Sequence, residues 1–123
     1  MHELSITQEV VAAITARLPD TRITVVRLEI GKLSGVVADS VRFCFDLVTE
    51  GTAVEGAALV IEEPAGRARC RACVHEYEAE WLVVLCPECG SAAAEVLSGN
   101  ELRITSVEVS RECAAPADAL RTR

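Results

Sequence analysis

The sequence predicts an α+β fold, in which two helices pack on a small three-stranded mixed sheet and a four-cysteine module is inserted into the chain. Three observations predict it: two segments with apolar residues at helical spacing, three segments rich in β-branched residues, and four cysteines gathered between the second and third strands. A chain of 123 residues has the length of one domain. Because the last strand needs partners and only the two earlier strands can supply them, the cysteine module is an insertion into one α/β layer.

The first helix is predicted to end at Pro19, which cannot continue it. Ser5 and Gln8 can form a capping box at its start, although a start one turn earlier is also compatible with the sequence. The apolar positions that recur at helical spacing, and that we expect to face the core, are Leu4, Val10, Val11, Ile14 and Leu18.

The second helix is predicted to begin after a cap at Asp39 or Ser40 and to end near Gly51, where a left-handed C-cap is expected. Its inward-facing stripe comprises Val41, Cys44, Phe45 and Val48. Because a free cysteine in such a stripe behaves as a small hydrophobe, we expect Cys44 to be a packing residue.

Three strands are predicted at residues 22–31, 58–62 and 101–109, where β-branched and aliphatic residues dominate. Residues 67–95 have a different character, because they hold four cysteines and are too few to form a core of their own. We therefore expect metal binding to replace the missing core in that segment.

This pattern predicts a discontinuous domain organisation. Residues 1–66 and 96–113 are predicted to form one α/β domain, into which residues 67–95 are inserted as a metal-binding module. Residues 114–123 are rich in alanine, proline and arginine and are predicted to be a flexible tail.

The composition excludes several classes of protein. Twelve basic residues against nineteen acidic ones give a net charge of −7, which argues against a nucleic-acid partner. No apolar run approaches the roughly 18–20 residues of a membrane span, and the first residues lack the features of a secretory signal. We therefore expect a cytoplasmic protein, and in a reducing compartment its six cysteines indicate metal ligands or redox groups.

Two Cys-x-x-Cys pairs, Cys70 with Cys73 and Cys86 with Cys89, are separated by twelve residues. Each pair directs two thiolates at one point, and two pairs complete a tetrahedron around an ion. Four thiolates leave a zinc ion no open position, so the pattern predicts a structural, zinc-ribbon-like site.

Other interpretations of the cysteines remain open. A rubredoxin-like iron site uses the same ligands and would carry electrons. A redox dithiol would need one pair at the start of a helix, which the sequence does not supply. His75 could replace a cysteine or bind a second ion, but we expect an exposed histidine; Cys113 is expected to be an incidental thiol.

The first three residues, Met1, His2 and Glu3, form a second candidate metal site. The α-amine, the His2 amide nitrogen and the His2 imidazole lie within chelating reach, and an amide or carboxylate at Glu3 could complete a tetragonal set. Nitrogen and oxygen ligands in that geometry suit Ni(II) or Cu(II) better than Zn(II). Because the amine and the imidazole must lose protons to bind, binding should weaken on mild acidification.

The two sites occur together with further short motifs that resemble one family, the HypA/HybF hydrogenase nickel-incorporation proteins. The resemblance covers roughly residues 1–112. The matching segments are Met1–Ile6, Leu28–Gly31, Cys70–Cys73, Cys86–Ser91, Gly99–Leu102 and Ser106–Val109. The N-terminal motif and the four-cysteine module in this order are specific, whereas either alone would not be.

The resemblance implies a nickel metallochaperone without catalytic activity. It implies nickel at His2, with Glu3 and the Met1 amine beside it, and structural zinc on the four cysteines. The implied partners are a maturation GTPase and the hydrogenase large-subunit precursor, with urease accessory proteins as further candidates; monomer and homodimer both remain open. Some family members carry extra histidines that make the zinc site sensitive to acid, but here only His75 lies near the cysteines.

Overall fold

The computed structural model describes residues 2–80 and 85–110, which contain two helices and six strands. The helices are α1 (Glu3–Arg17) and α2 (Ala38–Val48), and the strands are β1 (Ile23–Ile30), β2 (Ala58–Glu62), β3 (Gly66–Cys70), β4 (Glu76–Ala79), β5 (Ala94–Ser98) and β6 (Leu102–Val109). They form two three-stranded sheets, with strand orders β2-β1-β6 and β4-β3-β5. Neither described helix is long and apolar enough to cross a membrane.

The predicted α+β fold with two helices and a cysteine module is confirmed. The three predicted strands are β1, β2 and β6, and they pair as expected in one sheet. The central strand β1 buries four aliphatic side chains, because its branched residues suit a pleated, covered surface. They are Ile23, Val26, Leu28 and Ile30. The second sheet is not predicted by the sequence pattern.

The start of α1 differs from the expected capping box at Ser5. His2 is the N-cap residue, so the helix begins one turn earlier and Ser5 lies inside it. The buried face of the helix also differs from the predicted stripe at its first turn. Leu4 is 49% exposed, whereas Thr7 is buried and donates its hydroxyl to the Glu3 carbonyl at 2.7 Å.

The start of α2 also differs, because neither Asp39 nor Ser40 caps it. The N-cap residue is Val37, whose side chain cannot accept a hydrogen bond. Asp39 lies in the first turn and pairs with Arg42 at 2.7 Å. The Val37 N–H instead donates to Glu3 Oε2 at 3.0 Å. A carboxylate distant in sequence thus satisfies one of the free amides at this helix end.

The predicted inward-facing stripe of α2 is largely confirmed. Val41 and Phe45 are buried, and Cys44 and Val48 are half-buried. Gly51 has a φ of 78°, so the left-handed conformation expected beyond the helix end is present.

The described structure divides into two compact units. Unit 1 comprises the described parts of residues 1–28, 37–60 and 104–123, and unit 2 comprises those of 29–36 and 61–103. Unit 2 is thus longer than the predicted module of residues 67–95. The assignment of nickel to one domain and zinc to the other remains a prediction, and the predicted tail of residues 114–123 lies outside the described residues.

Unit 2 has a buried cluster that extends beyond residues 67–95, because it includes Leu33. The expectation that residues 67–95 lack a core of their own therefore stays a prediction. The cluster comprises Leu33, Ala68, Cys70, Tyr77, Ala79 and Cys86. The sequence gives little sign of it, because β3 alternates small with charged residues and contains no large aliphatic side chain. Two cysteines and a tyrosine take the place of the usual aliphatic residues.

The register of the second sheet places Tyr77 beside the cysteines. Ala68 on β3 is paired with Tyr77 on the antiparallel strand β4, so their side chains share one face of the sheet. Cys70 lies two residues further along β3 and faces the same side. The other face carries Arg69, which pairs with Glu76 at 3.0 Å.

A close approach of backbones in unit 2 depends on two glycines. Gly99 has a φ of 103°, which L side chains rarely adopt, and a Cβ there would overlap Gly66 Cα. A Cβ on Gly66 would in turn overlap the Leu33 side chain. The Leu33 N–H donates to the Gly99 carbonyl at 2.8 Å, a contact that requires this close packing.

Candidate metal centres

The structure brings the four predicted cysteines together. Their Sγ atoms all lie within 4.8 Å of one another. The Sγ atoms of Cys70 and Cys89 are 3.5 Å apart, and those of Cys73 and Cys86 are 3.6 Å apart. The first cysteine of each pair is buried and the second is exposed. Each short contact therefore joins a buried sulfur to an exposed sulfur of the other pair.

Two turns with the same hydrogen bonds position these sulfurs. We call Cys70–His75 the first knuckle and Cys86–Ser91 the second. The N–H of the fifth residue donates to the carbonyl of the first cysteine, at 2.9 Å in the first knuckle and 2.8 Å in the second. The N–H of the first cysteine donates to the carbonyl of the sixth residue, at 2.8 and 2.9 Å. The fifth residue has a positive φ in both, 68° at Val74 and 76° at Gly90.

Backbone amides point at the buried sulfurs. Cys70 Sγ accepts from the N–H groups of Ala72 at 3.3 Å and Cys73 at 3.4 Å, and Cys86 Sγ accepts from the Glu88 N–H at 3.4 Å. The hydrogen bond from the Cys73 N–H has the largest effect on the Cys70 thiol, and together with that from the Ala72 N–H it lowers the pKa to about 6. Burial acts in the opposite direction but does not outweigh them. The knuckle therefore stabilises a thiolate at Cys70.

The neighbouring sulfurs compete for the negative charge. A backbone hydrogen bond from His75 acts to lower the pKa of Cys73, but burial and the other three thiols outweigh it and raise that pKa to about 12. The pKa of Cys89 is also raised. A backbone hydrogen bond from Ser91 acts to lower it, but the opposing effects, of which the contact with Cys70 is the largest, outweigh that hydrogen bond. Four sulfurs this close cannot all be charged unless a cation replaces their protons.

The donor set fits a tetrahedral ion held by four sulfurs. Zn–S bonds of ~2.3 Å give a sulfur–sulfur edge of about 3.8 Å in a regular tetrahedron. The two short sulfur contacts, 3.5 and 3.6 Å, lie close to that edge. Zinc and iron both accept this geometry, and neither would keep an open coordination position.

His75 and Cys44 are not part of this group of sulfurs. His75 is half-buried, and its ring stacks on Tyr77 with a centroid distance of 6.2 Å and an interplanar angle of 12°. It is therefore not the exposed histidine that the sequence predicts. Cys44 lies on α2, and Cys113 lies outside the described residues.

The predicted nickel ligands lie at the start of α1, except Met1, which is outside the described residues. His2 is exposed, and its carbonyl accepts the Ile6 N–H at 3.0 Å. Within residues 2–80 and 85–110, the His2 imidazole makes no hydrogen bond or ion pair. The hydrogen bond from Val37 to the Glu3 carboxylate lowers the pKa of Glu3 below its ordinary value.

Two residues near these centres are not identified by sequence reasoning. Val37 holds the Glu3 carboxylate through its amide, and a backbone donor has no sequence signal. Tyr77 is buried in the same cluster as Cys70 and Cys86. Its position between the two cysteine pairs is visible in the sequence, but its burial depends on the pairing of β3 with β4.

Comparison with protein families gives one match over most of the chain. A family model described as "Hydrogenase/urease nickel incorporation, metallochaperone, hypA" matches residues 1–109. The hydrogenase maturation factor HypA of Geotalea uraniireducens is 47% identical over 109 residues, covering 89% of this chain and 99% of that protein. The factor of the same name from Streptomyces avermitilis is 46% identical over 112 residues, covering 87% and 86%.

Solved structures with the same fold carry the same name. The solution structure of the Ni metallochaperone HypA from Helicobacter pylori matches with a TM-score of 0.60 and 26% identity, over 89% of this chain and 97% of that one. A second solution structure of a HypA protein matches with a TM-score of 0.58 and 25% identity, with the same coverage. The likeness therefore covers most of the chain.

Proposed function

Because this chain belongs to the HypA family of hydrogenase/urease nickel-incorporation metallochaperones, we propose that it carries Ni(II) at Met1, His2 and Glu3. It releases this ion during the maturation of nickel–iron hydrogenase or urease. A structural zinc ion is held by Cys70, Cys73, Cys86 and Cys89. Nickel is the cargo, and zinc remains with the protein.

The observation that carries the proposal is the exposed His2 imidazole at a helix start. In the described residues this ring makes no hydrogen bond or ion pair, so none has to break before it binds an ion. The helix that follows at once holds the His2 backbone through the Ile6 N–H. An exposed, N-terminal chelate allows rapid exchange, which a carrier needs.

Glu3 adds a carboxylate whose direction is fixed. Oε2 accepts the Val37 N–H at 3.0 Å, and the other carboxylate oxygen remains available to an ion. Because that hydrogen bond lowers the pKa of Glu3, the side chain stays charged in mild acid and remains a ligand there.

The cysteine site suits retention rather than delivery. Its buried sulfurs, Cys70 and Cys86, accept amide hydrogen bonds, and both belong to the core of unit 2. Loss of the ion would leave thiolates crowded together, so exchange is slow. The sequence contains no glycine-rich phosphate loop, and we propose that a maturation GTPase supplies the energy for transfer to the hydrogenase large-subunit precursor, with urease accessory proteins as alternative partners.

The test is calorimetric nickel titration of the untagged, zinc-loaded chain, of His2→Ala and of His75→Ala. The chain has two histidines, so the second variant is a matched control. We expect His2→Ala to lose nickel binding and His75→Ala to keep it. A glycine added before Met1 should also weaken binding, because it moves the amine out of the chelate. Nickel binding by His2→Ala at wild-type affinity would disprove the N-terminal site.

A further inference from the structure

The hydroxyl of Tyr77 is buried without a partner. The residue is 7% exposed, and its oxygen is the one buried side-chain polar atom among the described residues that makes no hydrogen bond. Buried hydroxyls are nearly always satisfied, because a hydrogen bond to water is lost on burial. A phenylalanine would fill the same space without this penalty. The hydroxyl therefore calls for an explanation.

No sulfur is hydrogen-bonded to this hydroxyl in the described structure, but the core cluster of Tyr77 contains candidate acceptors. Cys70 and Cys86, the two buried sulfurs, belong to the same core cluster as the tyrosine ring. Burial raises the pKa of Tyr77, and the negative charge of the cysteines, Cys86 first, raises it further. The phenol is therefore neutral at physiological pH and is a hydrogen-bond donor.

The two buried sulfurs differ in how many donors they already have. Counting donors from residues 2–80 and 85–110 only, Cys70 Sγ accepts two backbone N–H groups, whereas Cys86 Sγ accepts one. Four thiolates around a divalent ion carry a net charge of −2, and hydrogen bonds from outer residues disperse such charge and orient the ligands. Cys86 is thus the buried sulfur with room for a further donor.

We propose that the Tyr77 hydroxyl donates a hydrogen bond to the Cys86 thiolate of the metal-loaded cluster, and so positions that ligand and strengthens metal binding. Tyr77 acts through Cys86 and does not contact the ion. The inference rests on the proposed metal site of the four cysteines. It does not depend on nickel binding at the N-terminus.

The experiment compares zinc affinity in the untagged full-length wild type and in Tyr77→Phe, by competition with a chromophoric chelator. We expect Tyr77→Phe to bind zinc about tenfold more weakly, as removal of an outer hydrogen bond usually does. The control is Thr49→Val, which removes another buried hydroxyl, in unit 1, and should leave zinc affinity unchanged. Equal zinc affinities of the wild type and Tyr77→Phe would overturn the proposal. They would mean that the Tyr77 hydroxyl is unsatisfied or is hydrogen-bonded to a buried water.

A second measurement needs no variant. The chain has one tyrosine, so labelling with ¹³Cζ-tyrosine gives a single NMR resonance. We expect this resonance to shift in step with zinc loading, and to shift again when cadmium replaces zinc. A resonance that zinc loading leaves in place would also overturn the proposal. If the wild type binds no zinc at all, the proposed cysteine site fails instead, and the two failures are distinguishable.

Discussion

The two candidate metal centres of this chain are built in opposite ways. The cysteine centre uses two knuckles with matching hydrogen bonds, and two of its four sulfurs belong to a buried core. The N-terminal centre consists of an exposed imidazole and a carboxylate held by one backbone amide. From this difference we expect the cysteine centre to retain its ion and the N-terminal centre to release its ion, because the strength of retention follows from how much folded structure each ion stabilises.

The strongest test of this contrast is removal of a buried ligand. We expect Cys86→Ser to lower zinc affinity by on the order of a thousandfold and to loosen unit 2, because the ion helps to fold it. Zinc content by mass spectrometry and amide hydrogen exchange check this, with lost protection expected in β3, β4 and β5. The control is Cys44→Ser on α2, which should keep its zinc. Full zinc content in Cys86→Ser would show that retention does not depend on the buried sulfurs.

Lowering the pH should weaken metal binding at the two centres to different degrees, because binding at each centre releases a different number of protons. At pH 7, raised pKa values keep Cys73 and Cys89 protonated, whereas Cys70, with a pKa of about 6, is mostly a thiolate. Zinc binding at pH 7 should therefore release at least two protons, and zinc affinity should fall ~100-fold or more per pH unit as the pH is lowered. Below pH 6, Cys70 is also protonated before zinc binds, so zinc binding releases one further proton.

The measurement is zinc calorimetry in buffers of different ionisation enthalpy, at pH 7 and pH 5.5. The matching nickel titration should release fewer protons from side chains, because the proposed N-terminal centre contains no thiol. Release of fewer than two protons by zinc at pH 7 would mean that the thiols are already ionised, contrary to the crowding of the four sulfurs.

The sequence predicts the chemistry of both centres better than it predicts their supports. Four cysteines at regular spacing can be recognised without a fold, and so can a histidine at position 2. Strands β3 and β5 could not be predicted: β3 consists of small and charged residues, and the two aliphatic residues of β5 are adjacent and do not alternate with polar ones. The bond from Val37 to Glu3 could not be predicted either, since it joins residues 34 positions apart through a backbone donor.

Substitution of a closely packed glycine in unit 2 should change the free energy of unfolding by an intermediate amount. Gly99→Ala should destabilise the protein by about 3 kcal/mol, because it adds a left-handed alanine and a clash with the Gly66 backbone. Urea denaturation of the zinc-loaded protein measures the change. Gly51→Ala is the control: its φ is also positive, but a Cβ there meets nothing within 4 Å. It should cost only about 1 kcal/mol. Equal costs would mean that backbone conformation alone, and not close packing, explains Gly99.

The smallest expected effect distinguishes the two knuckles from each other. Their fifth residues share a left-handed conformation, but one is the exposed, β-branched Val74 and the other is Gly90. Valine is strained there, so Val74→Gly should stabilise the zinc-loaded protein by about 1 kcal/mol. The reciprocal Gly90→Val should destabilise it by about 2 kcal/mol. Thermal unfolding measures both. Destabilisation by Val74→Gly would mean that the valine side chain contributes more to the first knuckle than its backbone strain costs, and that the two turns are not equivalent supports for the ion.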